Sequence, residues 1–192
     1  YEMVQLSGAW ARERHIHSTS LRQGIQSIES TRGISSHLHN PFVALKRPET
    51  TENQGVVIGL SLIYSGNFLL QAEVDTFDVT RLQVGINPFQ FCWKLDPGAS
   101  FTSPEAVIVY SRNGLNEMSQ TFHRLFRSRL ARGEWRDKER PVLLNNWEAT
   151  YFDFDQEKLL QIAQDAKEVG IELFVLDDGW FGNRTNDRTG LG

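Results

Sequence analysis

Residues 1–111 carry strand-like spacing of apolar and polar positions, and helix-like spacing takes over after them. Val4-Gln5-Leu6 and Ile25-Gln26-Ser27-Ile28 predict short strands. Gly55-Val56-Val57-Ile58-Gly59-Leu60-Ser61-Leu62-Ile63-Tyr64 is apolar and β-branched, and Ser65-Gly66-Asn67 follows it as a turn signal. With Phe68 to Val74 as the returning strand, the pattern predicts a hairpin closed by a three-residue loop. Further strands are expected over Thr80 to Val84, Phe89 to Lys94 and Glu105 to Tyr110, punctuated by Asn87-Pro88 and Asp96-Pro97-Gly98. Short strands joined by turns imply a sandwich.

The character changes over residues 112–139. Leu115, Met118, Phe122, Leu125, Phe126 and Leu130 share one face of a helix expected over 113–131. Arg124, Arg127, Arg129 and Arg132 crowd its C-terminal half, where the helix dipole favours cations, and Gly133 is a stop. The segment reads as a helical connector. Residues 140–192 then give a βαβ pattern. A strand runs from Val142 to Asn146, and Asp155 caps a helix with the inward stripe Leu159, Leu160, Ala163, Ala166 and Val169. Gly170 ends that helix, and Ile171 to Leu176 is the second strand. Both strands are nearly continuous apolar runs, as parallel strands covered on both faces should be.

Composition narrows the partners. The net charge is −4 and no run of five like charges occurs, so nucleic acid is not favoured. Cys92 is the only cysteine, which excludes an intrachain disulfide and suits a reducing, cytoplasmic compartment. No basic segment followed by an apolar core opens the chain, so no signal peptide is expected. No apolar stretch approaches the roughly 20 residues that span a bilayer, so no membrane partner is expected. The chain begins without Met and stops at Gly192 in mid-domain, so it reads as part of a longer protein.

The chemistry concentrates at two strand ends. Leu173-Phe174-Val175-Leu176 runs into Asp177-Asp178-Gly179-Trp180-Phe181-Gly182, and Leu143-Leu144 runs into Asn145-Asn146-Trp147-Glu148. Carboxylates accept hydrogen bonds from sugar hydroxyls, an ionised one gripping two at once, and Trp147 and Trp180 can offer an apolar face to a sugar ring. The C-terminal ends of parallel strands are also where barrel enzymes keep their sites. Neighbouring Asp177 and Asp178 are poorly placed to flank one glycosidic bond, since a retaining pair stands about 5–5.5 Å apart across it. The competing reading, an N-cap or loop aspartate pair with packing tryptophans, carries less weight because a second strand end bears the same residue types. His15 and His17, and His37 and His39, have a chelating spacing, but no third ligand stands out and no metal site is expected. Glu148 suits a hydrogen-bonding role better than that of a general acid. Asn183-Arg184-Thr185 matches a glycosylation acceptor and is discounted without a secretion signal.

Arg140-Pro141-Val142-Leu143-Leu144-Asn145-Asn146-Trp147-Glu148-Ala149-Thr150-Tyr151-Phe152-Asp153-Phe154 and Leu173 to Gly182 resemble the family 36 glycoside hydrolases, the bacterial-type α-galactosidases. Ser35-Ser36-His37-Leu38-His39-Asn40-Pro41-Phe42 resembles that family's N-terminal β-domain. The resemblance implies a multi-domain protein: a β-supersandwich over 1–111, the connector, and over 140–192 the first βαβ of a truncated (β/α)8 barrel. It implies retaining hydrolysis of terminal α-galactosyl residues from melibiose and raffinose-type sugars, without metal or other cofactor. Asp177 and Asp178 would bind galactose hydroxyls, Trp147 would line the pocket, and both catalytic aspartates would lie beyond Gly192. It also implies a homo-oligomer, a tetramer, with Trp10 and the His37 to Phe42 segment as interface or pocket-rim candidates. Other readings are a galactosyl-transferring relative, a non-catalytic β-module for assembly or carbohydrate binding, and an enzyme using Asp177 and Asp178 as magnesium ligands.

Overall fold

Strand-like spacing becomes eight strands in the first part of the computed structural model, which describes residues 1–191. They are β1 (Glu2–Ala9), β2 (Arg12–Ser20), β3 (Gly24–Glu29), β4 (His39–Lys46), β5 (Val57–Ile63), β6 (Phe68–Val74), β7 (Thr80–Ile86) and β8 (Glu105–Ser111). Two antiparallel sheets result, ordered β2-β1-β4-β5-β8 and β3-β6-β7. Side chains alternate across a strand, so each strand serves two layers. Met3, Val43, Leu45, Leu60 and Leu62 meet Ile28, Phe68, Leu70 and Ala72 of the smaller sheet. Val4, Ala44, Val57 and Val109 point the other way, against Met118 and Phe122 of helix α1 (Gly114–Leu125). The larger sheet is therefore covered on both sides at its centre, which is why β5 is apolar almost throughout. At Gly59 the helix lies so close that a Cβ would meet Met118 Sδ at 2.6 Å.

The expected hairpin is not formed. β5 pairs with β4 and β8, whereas β6 pairs with β3 and β7. Ser65-Gly66-Asn67 carries the chain from one layer to the other, so that the apolar faces of β5 and β6 bury each other instead of lying side by side. The crossing is pinned from outside: Ser35 Oγ donates to the Gly66 carbonyl at 2.9 Å, and Gly33 N donates to Asn67 Oδ1 at 2.6 Å.

One other strand expectation changes. Phe89 to Lys94 is no strand: Phe91 N closes a turn onto the Pro88 carbonyl at 3.2 Å, and Gln90 has a left-handed φ of 53°. Phe91 and Trp93 instead pack on Phe101, with ring centroids 6.1 and 5.0 Å away. Conversely, β2 forms although it is polar and exposed along its whole length. Its ladder with β1 supplies the reason, since unpaired backbone groups are satisfied whatever the side chains are. The segment read as a connector divides. α1 and a π-helical turn, Phe126–Leu130, belong to the first of two units, and a 3-10 turn, Glu134–Arg136, lies in the second, which begins at Ala131.

In the second unit β9 (Leu143–Asn145) and β10 (Leu173–Val175) pair in parallel, Leu173 opposite Leu143 and Val175 opposite Asn145. A short helix, α2 (Trp147–Thr150), and a longer one, α3 (Gln156–Glu168), lie between them in sequence. Asp155 caps α3 by accepting from Lys158 N at 2.8 Å, and Gly170 leaves it with a φ of 89°. As two parallel strands with a single helix imply, the cover is only partial. Ala166 is buried, but Leu160 is 54 % and Val169 79 % exposed, and Val142, Leu143 and Leu173 are also open to solvent. One crossover helix covers one face of a two-stranded sheet and leaves the other bare. A groove of about 380 Å³ between α3 and β10, lined by Leu159, Leu160, Ala163 and Phe174, marks that incomplete cover. In the isolated chain, amides of β9, β10 and α3 should exchange well before those of β4, β5 and β6. Equal protection of the two sets would show the second unit to be stable on its own.

Candidate functional site

The register of β9 and β10 brings the two strand ends together, and two asparagines fasten them. Asn146 is fully buried. Its backbone N donates to the Val175 carbonyl at 3.2 Å, its Oδ1 accepts from Asp177 N at 2.8 Å, and its Nδ2 donates to Thr150 Oγ1 at 2.9 Å. Asn145 Nδ2 donates to Asp177 Oδ2, while Asn145 Oδ1 accepts from Trp147 N at 2.8 Å. Asp177 is thus held at its backbone by one asparagine and at its carboxylate by the next.

Asp178 is held differently. Arg184 Nε lies 2.9 Å from both of its oxygens and Nη2 lies 2.6 Å from Oδ2, a forked ion pair. Gly179 N adds a bond to Oδ1 at 2.7 Å. The Arg184 guanidinium, with help from the Gly179 amide, holds the Asp178 carboxyl below its ordinary range against a smaller opposing effect of burial. With the folded-state value lowered, this contribution to folding is in place above the ordinary carboxylate pKa. It is lost as pH falls through the lowered one.

Counting lone pairs divides the work between the aspartates. An ionised carboxylate accepts about four hydrogen bonds. Three N–H groups converge on Asp178, leaving it about one open position, so the expectation that it could grip two hydroxyls is not met. Among the described residues, Asp177 accepts only from Asn145 Nδ2 and, at 2.8 Å, from Asp178 N, which leaves about two.

An aromatic wall stands beside them. Trp147 meets Phe152 edge-on at 4.9 Å and Tyr151 at 5.3 Å. The Arg184 guanidinium lies over the Phe152 ring at 5.4 Å. Gly179 adopts a φ of +90°, and a Cβ there would meet Phe152 at 2.9 Å, so glycine is required on both counts. Trp180 is 64 % exposed and packs edge-on against Phe181. Glu148 accepts from the Tyr151 hydroxyl at 3.1 Å, a bond that raises the tyrosine pKa.

Arg184 escaped the sequence reading because its triplet resembled a glycosylation acceptor. The one available signal was an arginine shortly after paired aspartates. Phe152 gave no signal of its own. On β4, burial and then His17 lower the His39 pKa. Among the described residues no cluster of three or more His, Cys, Asp or Glu side chains is set to hold a metal ion. Among them, too, no helix is long and apolar enough to cross a membrane.

Residues 1–96 match the glycosyl hydrolase family 36 N-terminal domain. The chain belongs to glycoside hydrolase family 36. Residues 100–192 of this family 36 chain match the Melibiase family. It is 59 % identical to alpha-galactosidase AgaA of Geobacillus stearothermophilus and 50 % identical to alpha-galactosidase 1 of Pediococcus pentosaceus, each match taking in 100 % of this chain and 26 % of the relative. The crystal structure of AgaB from Geobacillus stearothermophilus matches with a TM-score of 0.94 at 60 % identity, covering 100 % of this chain and 27 % of that one. Variants of AgaA have been crystallised with stachyose and with raffinose. The chain spans about a quarter of the length of these relatives. Its fold is that family's β-supersandwich followed by the first parallel strand pair of a (β/α)8 barrel.

Proposed function

We propose that this chain is part of a retaining α-galactosidase and supplies its galactose-binding residues. The carrying observation is the pair of adjacent carboxylates after β10, Asp177 tied to the end of β9 and Asp178 to Arg184, with acceptor positions open beside an aromatic wall. Asp177 takes two sugar hydroxyls and Asp178 one. Trp147 lines the pocket, and the exposed Trp180 offers a second ring face. No catalytic role falls to Asp177 or Asp178, because they sit side by side in one turn and a retaining pair must face each other across the bond. The raffinose and stachyose bound by the AgaA variants support terminal α-galactosyl sugars as the substrate class. The reading includes residues 1–111 as the β-supersandwich domain, a cytoplasmic location, and assembly as a homo-oligomer with exposed Trp10 near the interface.

The test is product analysis with the natural gene product that carries these residues. Melibiose and raffinose should release galactose with the anomeric configuration retained, and a β-linked galactoside should be untouched. The 192-residue chain alone should show no turnover. Failure of the natural gene product to cleave any α-galactoside would refute the reading.

A further inference from the structure

Arg184 is the most heavily engaged side chain near the carboxylates. Besides its fork on Asp178, its Nη1 donates to the Asn186 carbonyl at 2.6 Å and to the Thr189 carbonyl at 3.0 Å. Its side chain is 6 % exposed, so it is spent on the protein and turns no free edge toward a ligand. The guanidinium covers the same Phe152 ring that Trp147 abuts. Thr189 Oγ1 closes the segment by donating to the Asn183 carbonyl at 3.1 Å, and a Cβ at Gly190 would lie 3.0 Å from Arg184 Cα.

We infer that Arg184 is the positioning residue of the sugar site: it fixes the plane of the Asp178 carboxylate without touching the sugar. The inference rests on the reading of Asp178 as a sugar-binding group. The physical reason is rotational. A carboxylate turns about its Cβ–Cγ bond in a broad, two-fold well, and a free one must be ordered each time a hydroxyl arrives. A forked guanidinium removes that freedom beforehand and leaves one acceptor position facing outward. Lysine would keep the charge but not the fork, since an ammonium is a point donor. Arg184 is therefore expected to act on substrate affinity through geometry and on pH dependence through charge, and its variants separate the two.

The experiment compares Arg184→Gln, Arg184→Lys, Asp178→Asn and the Arg184→Gln/Asp178→Asn double variant in the natural gene product. KM and kcat for an α-galactoside, the pH profile of kcat/KM and the thermal midpoint are recorded. Arg184→Gln should raise KM about tenfold or more, with a much smaller fall in kcat. Its acid limb should move to higher pH, because Asp178 loses the cation that keeps it ionised. Arg184→Lys should restore the acid limb and leave KM high. If the glutamine variant fails to fold, that split in the lysine variant still decides. The double variant should bind no worse than Asp178→Asn alone. An Arg184→Gln protein that is less thermostable but keeps its KM and acid limb would overturn the inference, as would additive effects in the double variant. Should Asp178→Asn itself leave KM unchanged, the sugar-site reading fails first, independently of Arg184.

Discussion

Asp177→Asn in the natural gene product is expected to lower kcat/KM by about 10²–10³-fold while leaving the fold in place. The expectation follows from the two acceptor positions that Asp177 leaves open. A hydrogen bond to a charged group contributes about 1.5–3 kcal/mol, so two contribute roughly 3–6 kcal/mol. The amide keeps one acceptor oxygen, which places the loss toward the lower part of that range. The carboxylate's partners explain why the fold survives. Asp177 N still donates to Asn146 Oδ1, and the amide oxygen can still accept from Asp178 N. Only the contact with Asn145 Nδ2 sets donor against donor, at an exposed position. Michaelis parameters on an α-galactoside, measured beside circular dichroism, check this. Unchanged kcat/KM in a folded variant would remove Asp177 from the site and with it the main support for the sugar reading.

Phe68→Ala should destabilise the β-sandwich by about 3–5 kcal/mol, the usual loss for truncating a buried phenylalanine. Phe68 is fully buried in the layer shared by the two sheets. It is also the first residue of β6, immediately after the chain crosses between layers, and its carbonyl accepts from Ser30 N at 3.0 Å and from Asn87 Nδ2 at 3.3 Å. A cavity there removes contacts from both sheets at the point where the crossing is anchored. Two compact units make a single unfolding midpoint ambiguous, so amide exchange of β4 and β5 is the better measure. Exchange there should quicken by about two to four powers of ten if it proceeds through global opening of the sandwich. Phe68→Leu, which keeps most of the volume, should quicken it far less. No change in the alanine variant would mean that the two sheets do not depend on this contact.

The candidate site was legible in its components and not in its wiring. An apolar run ending in Asp177-Asp178-Gly179-Trp180 signals a polar strand end, and the Asn145-Asn146-Trp147 run signals a second one. Their pairing needed only the parallel register of two short strands. The difference between the two aspartates was invisible, because it lies in which donor reaches which oxygen. Arg184 makes that difference, and its claim on Asp178 depends on how the segment after Phe181 folds back. Asn146 is a similar case: beside Asn145 in sequence it looks equivalent, yet one is exposed and the other wholly enclosed.

Features that depend on near neighbours along the chain could be read from residue order. Helix α3 begins at Asp155 because its carboxylate reaches an amide three residues on, and it ends at Gly170 because glycine accepts a left-handed φ. The strands β6, β7 and β8 follow from alternation and turn residues, and the parallel pair of β9 and β10 from apolar runs separated by a helix. Features that depend on surfaces meeting came only with the packed fold. It placed β5 and β6 in different sheets, because two apolar faces bury more against each other than side by side in one layer. It made a strand of polar β2, because a neighbouring ladder of amides outweighs side-chain preference. It left Leu160 on α3 and Val169 just past its end exposed although their spacing called for burial, because amphipathic spacing marks a face that can be covered while the cover must come from elsewhere.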